Sequence, residues 1–401
     1  MSRRTARRAR LLAVTVAAAA LQATPAPAAV SPPDGVITWG ASAYPIGDSA
    51  ADRGYRMVVH TSVGGRDPRI RLSNAFGDQP VTFDSVYAGL QLKDAALVRG
   101  TNRRLTFDGS SSVTVEPGST VYSDPLPGSL PAGSDLVVSL HSPDAAGPAT
   151  GHWMALQTSY ATRGDYTAEE SGAHWTESIG SWFYLDAVSV RTPGATGAVV
   201  ALGDSITDGW HSTSDRNRRW PDYLARRLQK AHTTVKGVAD EGISGNKVLA
   251  DGAGPSALNR LDRDVLSQPG VRTVFLFEGV NDLKARSGVT AADLISGYRQ
   301  IVDRAHDAGK CVVVSTIAPF KGWPEWDPAA EAVRQEVNDF VRSHGDEFDA
   351  VTDFDRVLRS PYDHERMLPV FDGGDHIHPN DKGMQAMADS VDLNSLDCGR
   401  R

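Results

Sequence analysis

Ala198-Val199-Val200-Ala201-Leu202-Gly203-Asp204-Ser205-Ile206-Thr207-Asp208-Gly209 decides how this chain is read. Five apolar residues are too few for a buried helix and suit a buried strand, which here runs straight into small and helix-capping residues. Further along, apolar runs at 235–238, 274–277, 311–315 and 350–354 alternate with longer segments of helical spacing. In 221–228, Leu224 and Leu228 stand four apart. In 290–308, Ala292, Ile295, Tyr298 and Val302 form one stripe, with Thr290 placed to cap it and Gly309 to stop it. Strand alternating with helix predicts parallel strands joined by right-handed crossovers, a three-layer α/β domain with a sheet of about five strands. In such a sheet, reactive groups belong on the loops at the carboxyl ends of the strands.

Upstream the rhythm is different. Short strand-like runs at 55–62, 69–73, 81–88, 112–115, 136–141 and 182–190 are broken by Gly64-Gly65, Asp108-Gly109, Pro117-Gly118 and Gly147-Pro148. No helical stretch intervenes. Arg69-Ile70-Arg71-Leu72 and Asp186-Ala187-Val188-Ser189-Val190 alternate polar with apolar, as strands with one solvated face do. The pattern predicts an antiparallel β-sandwich, jelly-roll-like, over residues 30–192, a linker at 193–197 and the α/β domain over 198–401.

Residues 1–29 read as an export signal: five arginines in the first ten positions, an apolar run at 11–21, then Ala26-Pro27-Ala28-Ala29 for a signal peptidase. That run is too short to span a bilayer of about 20 helical residues. The expected product is a secreted, extracellular protein with no integral membrane segment after cleavage. The chain of 401 residues has an ordinary globular composition, 40% hydrophobic and 22% charged. Its formal charge of −8 becomes −13 without the five arginines of the signal, which speaks against a nucleic-acid or anionic-membrane partner. Two cysteines, Cys311 and Cys398, form no zinc or iron–sulfur motif. The architecture lets the last helix return Cys398 towards the edge where Cys311 begins its strand, so one bridge and two free thiols both stay open.

Ser205 stands at the strand-to-turn corner, where a nucleophile would be presented among helix-type amides; the same residues would also cap a helix. A serine nucleophile needs a base, and the base an orienting carboxylate. Asp375-His376-Ile377-His378-Pro379-Asn380 supplies both after the last strand, Asp375 three before His378. His376 has Gly373 at that offset. Asp372, Asp375, His376 and His378 together keep a metal site in view. The loop after the second strand carries Gly242-Ile243-Ser244-Gly245-Asn246, and the loop after the third Glu278-Gly279-Val280-Asn281-Asp282. Glycine and asparagine amides are suitable donors for an oxyanion.

These four blocks, in this order over about 198–391, resemble the SGNH hydrolases, or GDSL esterases and lipases. The whole chain, with its β-rich N-terminal part, resembles the family's secreted actinobacterial members. The resemblance implies a flavodoxin-like SGNH hydrolase domain and a carboxylic ester hydrolase with no cofactor and no catalytic metal. It assigns Ser205 as nucleophile, His378 as general base and Asp375 as its orienting residue. The Ser205 amide, the Gly245 amide and the Asn281 side chain become the oxyanion donors. Ile206 replaces the leucine of the family's name, and Asp240-Glu241 precede Gly242 where many relatives have asparagine. The implied substrates are acyl esters of small alcohols, carbohydrates or lipids. A carbohydrate- or surface-binding protein on a non-catalytic hydrolase fold is the alternative, and a metal-dependent hydrolase built on the Asp/His segment is a third reading. Trp323, Trp326, Trp210 and Trp220 are each readable as pocket wall or as packing, and Asp208 and Asp282 as loop hydrogen-bonding groups. Trp153, Trp175 and Trp182 leave the β-rich half's role open between binding, covering the site and stabilising it.

Overall fold

A computed structural model describes residues 34–194 and 196–397. The expected signal segment and Cys398 lie outside them. Two larger antiparallel sheets, with a three-stranded and a two-stranded sheet beside them, make up the N-terminal half. One runs Glu177–Ile179, Ser159–Arg163, Arg53–His60, Asp135–Ser142, Ser85–Lys93 and Ala96–Leu97; the other runs Val36–Gly40, Leu185–Arg191, Gly65–Ser73 and Thr120–Tyr122. Register places Val138 opposite both Met57 and Ala88. Period-2 alternation turns Met57, Val59, Val86, Ala88, Val138 and Leu140 into one core with Ile70, Leu72, Val188 and Val190 of the second sheet. Val58, Val137 and Tyr160 face the other way, under Ala95, Leu97 and Trp175. There the buried Arg56 lies 4.2 Å from the Trp175 ring centre and donates to the Ala95 carbonyl at 2.8 Å. No helix occurs among the described residues up to 194.

The C-terminal half forms a parallel sheet in the order Val235–Gly242, Gly197–Gly203, Val271–Phe277, Cys311–Ser315, Ala350–Thr352. All five predicted apolar runs are strands of it. Alternation again sorts the side chains: Val199, Ala201, Phe275, Phe277 and Val313 pack with helices Trp220–Lys230 and Asp381–Ser390 on one face. Val200, Leu202, Val274, Leu276, Val312 and Val314 pack with helices Ala291–Asp307 and Pro328–Ser343 on the other. Thr290 caps its helix as expected, accepting from the Asp293 amide. One member of the predicted stripe is corrected: Ala292 is exposed, whereas Tyr298 and Val302 are buried and Ile295 packs partly buried against the core, beside Leu294, Ile301 and Ala305. Alanine carries too little apolar area to set the phase against leucine and isoleucine one turn away. Among the described residues no helix is long and apolar enough to cross a membrane.

The halves are closely joined. Strand Val36–Gly40 lies over the edge strand Val235–Gly242, where Ser62 Oγ donates to the Val238 carbonyl at 3.0 Å and accepts from the Val238 amide at 2.9 Å. This covers one edge of the parallel sheet. It also corrects the expectation of a solvated face at 69–72 and 186–190. Arg71 and Asp186 are buried in a 2.7 Å ion pair, and Arg263, beside Asp186, donates to the Ala43 carbonyl. At Arg71 and Asp186 the polar face of that sheet is therefore covered by the C-terminal half rather than by water, while Arg69 stays half-buried.

A Cβ at Gly237 would stand 2.4 Å from the Ile37 carbonyl oxygen, a backbone atom that cannot swing away. Gly237→Ala is expected to destabilise the protein by about 1–3 kcal/mol in denaturant titration through overpacking. An unchanged midpoint would contradict this contact between the halves.

Candidate active site

The first parallel strand delivers its chain into a single tight turn. Asp204 caps it, its carboxylate accepting from the Ile206 amide at 2.9 Å, and Gly209 in the left-handed region closes it. Ser205 lies on this turn, buried at the carboxyl edge of the sheet. Its Oγ is 2.8 Å from His378 Nε2, and His378 Nδ1 is 2.6 Å from Asp375 Oδ2. With Nδ1 as the donor to Asp375, Nε2 is left to accept from the serine hydroxyl. Asp375 also accepts from the His378 amide at 3.0 Å and the Ile377 amide at 3.2 Å. Burial works to raise the Asp375 pKa, but the bonds from His378 ring and backbone hold it well below the carboxylate range. Burial pushes His378 below its ordinary 6.5 despite Asp375, with Lys284 and His211 acting in the same direction as burial.

The second and third loops meet beside this turn. A Cβ at Gly242 would fall 2.2 Å from the Asp208 amide nitrogen, so only glycine lets the second strand end this close to the serine turn. Asn246 holds its loop by donating to the Ala253 and Pro255 carbonyls and accepting from Arg260 Nε. Its own carbonyl accepts from Asn281 Nδ2 at 2.8 Å. That bond occupies one N–H of the Asn281 amide and leaves the other for a further acceptor. The structure thus brings Ser205, His378 and Asp375 into hydrogen-bonding contact and ties Asn281 to the loop carrying Gly245.

Asp208 and Asp282 make loop hydrogen bonds, as read. Asp282 accepts from the Val248 and Leu249 amides. Asp208 accepts from the Ser244 amide at 3.0 Å, from Ser244 Oγ at 2.8 Å and, on its other oxygen, from His152 Nε2 at 3.0 Å. His152 belongs to the N-terminal half, a link the sequence reading missed, as it missed His211, whose Nε2 is 3.1 Å from Asp375 Oδ2. No spacing signal connects His211 with Asp375, which lies 164 residues away. His211, Asp375 and His378 present ligand atoms within 4.8 Å of one another. A metal there would use the groups that already serve Ser205. The other pair of that segment, Asp372 and His376, bonds to itself at 2.6 Å.

Aromatic rings border the site. Trp210 and Trp323 stand 6.1 Å and 5.9 Å from the His378 ring centre, and the Lys284 ammonium lies 4.7 Å over Trp323. Trp220, in contrast, is fully buried at its helix start. Behind the serine turn, Glu278 is buried with neither carboxylate oxygen hydrogen-bonded, 3.7 Å from Arg260. Burial pushes its pKa up to about 8, with Arg260 opposing and Asp204 and Asp282 adding to the rise.

Residues 201–386 match the model of the GDSL-like lipase/acylhydrolase family. No curated protein matches the chain. Among solved structures, a putative lipolytic protein of the G-D-S-L family from Desulfitobacterium hafniense is 22% identical, covering 49% of this chain and 97% of its own, with a TM-score of 0.39. A carbohydrate acetylesterase family member from Sinorhizobium meliloti is 17% identical, covering 50% and 99%, with a TM-score of 0.41. The aryl esterase of M. smegmatis is 20% identical, covering 48% and 95%, with a TM-score of 0.38.

Glu278 sets a pH dependence of stability. An unfolded glutamate releases its proton near 4.5, whereas the folded protein holds this one to about 8. The stability its neutral form contributes is therefore complete below the lower value and lost as pH rises through the higher one. Glu278→Gln, which has no proton to lose, should gain in stability relative to wild type as pH rises across this window. Denaturant titrations in which the difference stays constant with pH would contradict an unpaired neutral carboxyl.

Proposed function

We propose that this chain, whose residues 201–386 match the GDSL-like lipase/acylhydrolase family, is a secreted serine esterase. Its substrates are acyl esters of small alcohols, carbohydrates or lipids, cleaved through an acyl-enzyme. The observation that carries the reading is the continuous chain from Ser205 Oγ through the His378 ring to Asp375.

In this mechanism His378 Nε2 takes the hydroxyl proton as Ser205 Oγ attacks the ester carbonyl, and Asp375 stabilises the imidazolium that forms. The Ser205 and Gly245 amides and the free N–H of Asn281 receive the oxyanion, and His378 then protonates the leaving alcohol. Water, deprotonated by the same imidazole, releases the acid and restores Ser205. The lowered pKa of His378 keeps the base neutral into mildly acidic solution, so the acid limb of kcat/KM has its midpoint below 6.5. Export is supported by the order of basic, apolar and small residues in 1–29.

Hydrolysis of phenyl esters from acetyl to long-chain by the mature protein tests the reading. Ser205→Ala should lose essentially all turnover, and Asn281→Ala about 100- to 1,000-fold with the fold intact. Chelator should change neither. Full activity in Ser205→Ala, or loss to chelator alone, would overturn the serine mechanism and favour a metal on His211, Asp375 and His378.

A further inference from the structure

Beyond the triad, the N-terminal half reaches the serine turn along one segment, 152–158. His152 meets Asp208, and Met154 Sδ takes a 3.6 Å contact from Ser244 Oγ of the second loop. The Ala155 carbonyl accepts from the buried Arg219, and the Leu156 carbonyl accepts from the Asp215 amide at 3.0 Å. Thr158 closes the seam by donating both its amide and its hydroxyl to the Asp215 carboxylate. The segment is thus fastened at four points to the turn and loop that follow Ser205 and at one to the second loop.

Between them lies an open groove of about 480 Å³, a size suited to a small organic ligand. Trp153 of the N-terminal half and Trp210 of the C-terminal half both line it, with Gln157, Thr158, Ser178 and Ser181 around them. Only five large hydrophobic side chains are exposed among the described residues, and these are two of them, at 62% and 39%. Lone exposed hydrophobics are ordinary, but two tryptophans on one groove, held by their backbones, are not. The Trp153 amide donates to Tyr44 Oη at 3.0 Å and its carbonyl accepts from Ser181 Oγ at 2.8 Å. The Trp210 amide donates to the Ser205 carbonyl at 2.9 Å, and its ring borders His378. Trp153 is largely and Trp210 partly uncovered while the main chain of each is fixed, so no backbone ordering remains to be done when a ligand binds.

We propose that Trp153 and Trp210 form a two-domain platform for a pyranose ring, so that the ester's alcohol portion is a carbohydrate. This rests on the serine-esterase reading and narrows it. Aromatic faces pack against the C–H face of a sugar while hydroxyl and amide side chains take its hydroxyls. Met154, Leu156 and Ile179 also line the groove, and the hydroxyl and amide groups of Gln157, Thr158, Ser178 and Ser181 offer a sugar partners that an acyl chain would leave unused.

The test compares mono-O-acetylated pyranosides (of glucose, xylose and N-acetylglucosamine), which keep free hydroxyls, with phenyl acetate in the full mature chain. Trp153→Ala leaves the anchoring backbone bonds in place. It should lower kcat/KM on at least one pyranoside ester tenfold or more beyond its effect on phenyl acetate, mainly through KM, with Trp153→Phe restoring part of the loss. In the Ser205→Ala protein the same pyranosides should quench tryptophan fluorescence, and adding Trp153→Ala should reduce the quench. Equal effects on phenyl and sugar esters, or a loss confined to long-chain acyl esters, would overturn the platform. A protein that shows the quench but hydrolyses no ester would overturn the esterase reading and leave the platform standing. One that hydrolyses esters without the quench would do the reverse.

Discussion

The carboxylate of Asp208 is where the parts of this molecule are tied together. It is buried on the serine turn, and a buried charge persists only when its lone pairs are met. Ser244 meets one oxygen with amide and hydroxyl, and His152 meets the other. Those partners come from the loop after strand Val235–Gly242 and from the N-terminal sheet. Neither loop nor sheet could shift without stranding the charge, so the position of Ser205 relative to Gly245 is set partly by a residue outside the α/β half.

Arg260 does the corresponding work beneath the loops. Fully buried, it donates to the Gly203 and Glu241 carbonyls, to Asn246 Oδ1 and to Ser42 Oγ. The ends of two strands, the loop carrying Gly245 and Asn246 and the N-terminal half are thereby gathered on one planar guanidinium, whose rigid fork suits several acceptors at once. Glu241 explains itself in this setting. Where many relatives of the resemblance have asparagine nearby, this chain has Asp240-Glu241, and the Glu241 carboxyl accepts from Ser42 Oγ at 2.8 Å and from Gln268 at 3.1 Å. The departure serves the contact between halves and removes no group from the serine turn.

What was legible in the sequence follows the range of the interactions. Apolar runs of 4–5 residues became the five parallel strands because strand burial is a local pattern. Ser205, Asp375 and His378 were readable because each lies on a loop with its own short signature, and three-residue spacing already couples Asp375 to His378. Arg71 and Asp186 misled because alternation tells that one face of a strand is polar, not whether water or another domain covers it. The Ala291–Asp307 helix was found with Ala292 alone assigned to the wrong face, since alanine fits either. His152, His211 and Trp153 had no signal at all: their partners in space are remote in sequence, and nothing local marks a tryptophan as uncovered.

That last group carries a consequence for how the two halves divide the work. The chemistry-bearing groups sit on the α/β half, whose strand ends converge on them by topology alone. The surfaces that a substrate's remoter parts would meet are supplied across the seam, by a segment of the β-rich half bonded to the loop behind Ser205. Since remote contacts stabilise the transition state only if held in fixed relation to the reacting atoms, that seam must be rigid. Its shared serine on Val238, the Arg263 bond to the Ala43 carbonyl and the Asp208 junction make it so. A domain with no catalytic motif of its own can then take part in selecting the ester by where it places one tryptophan.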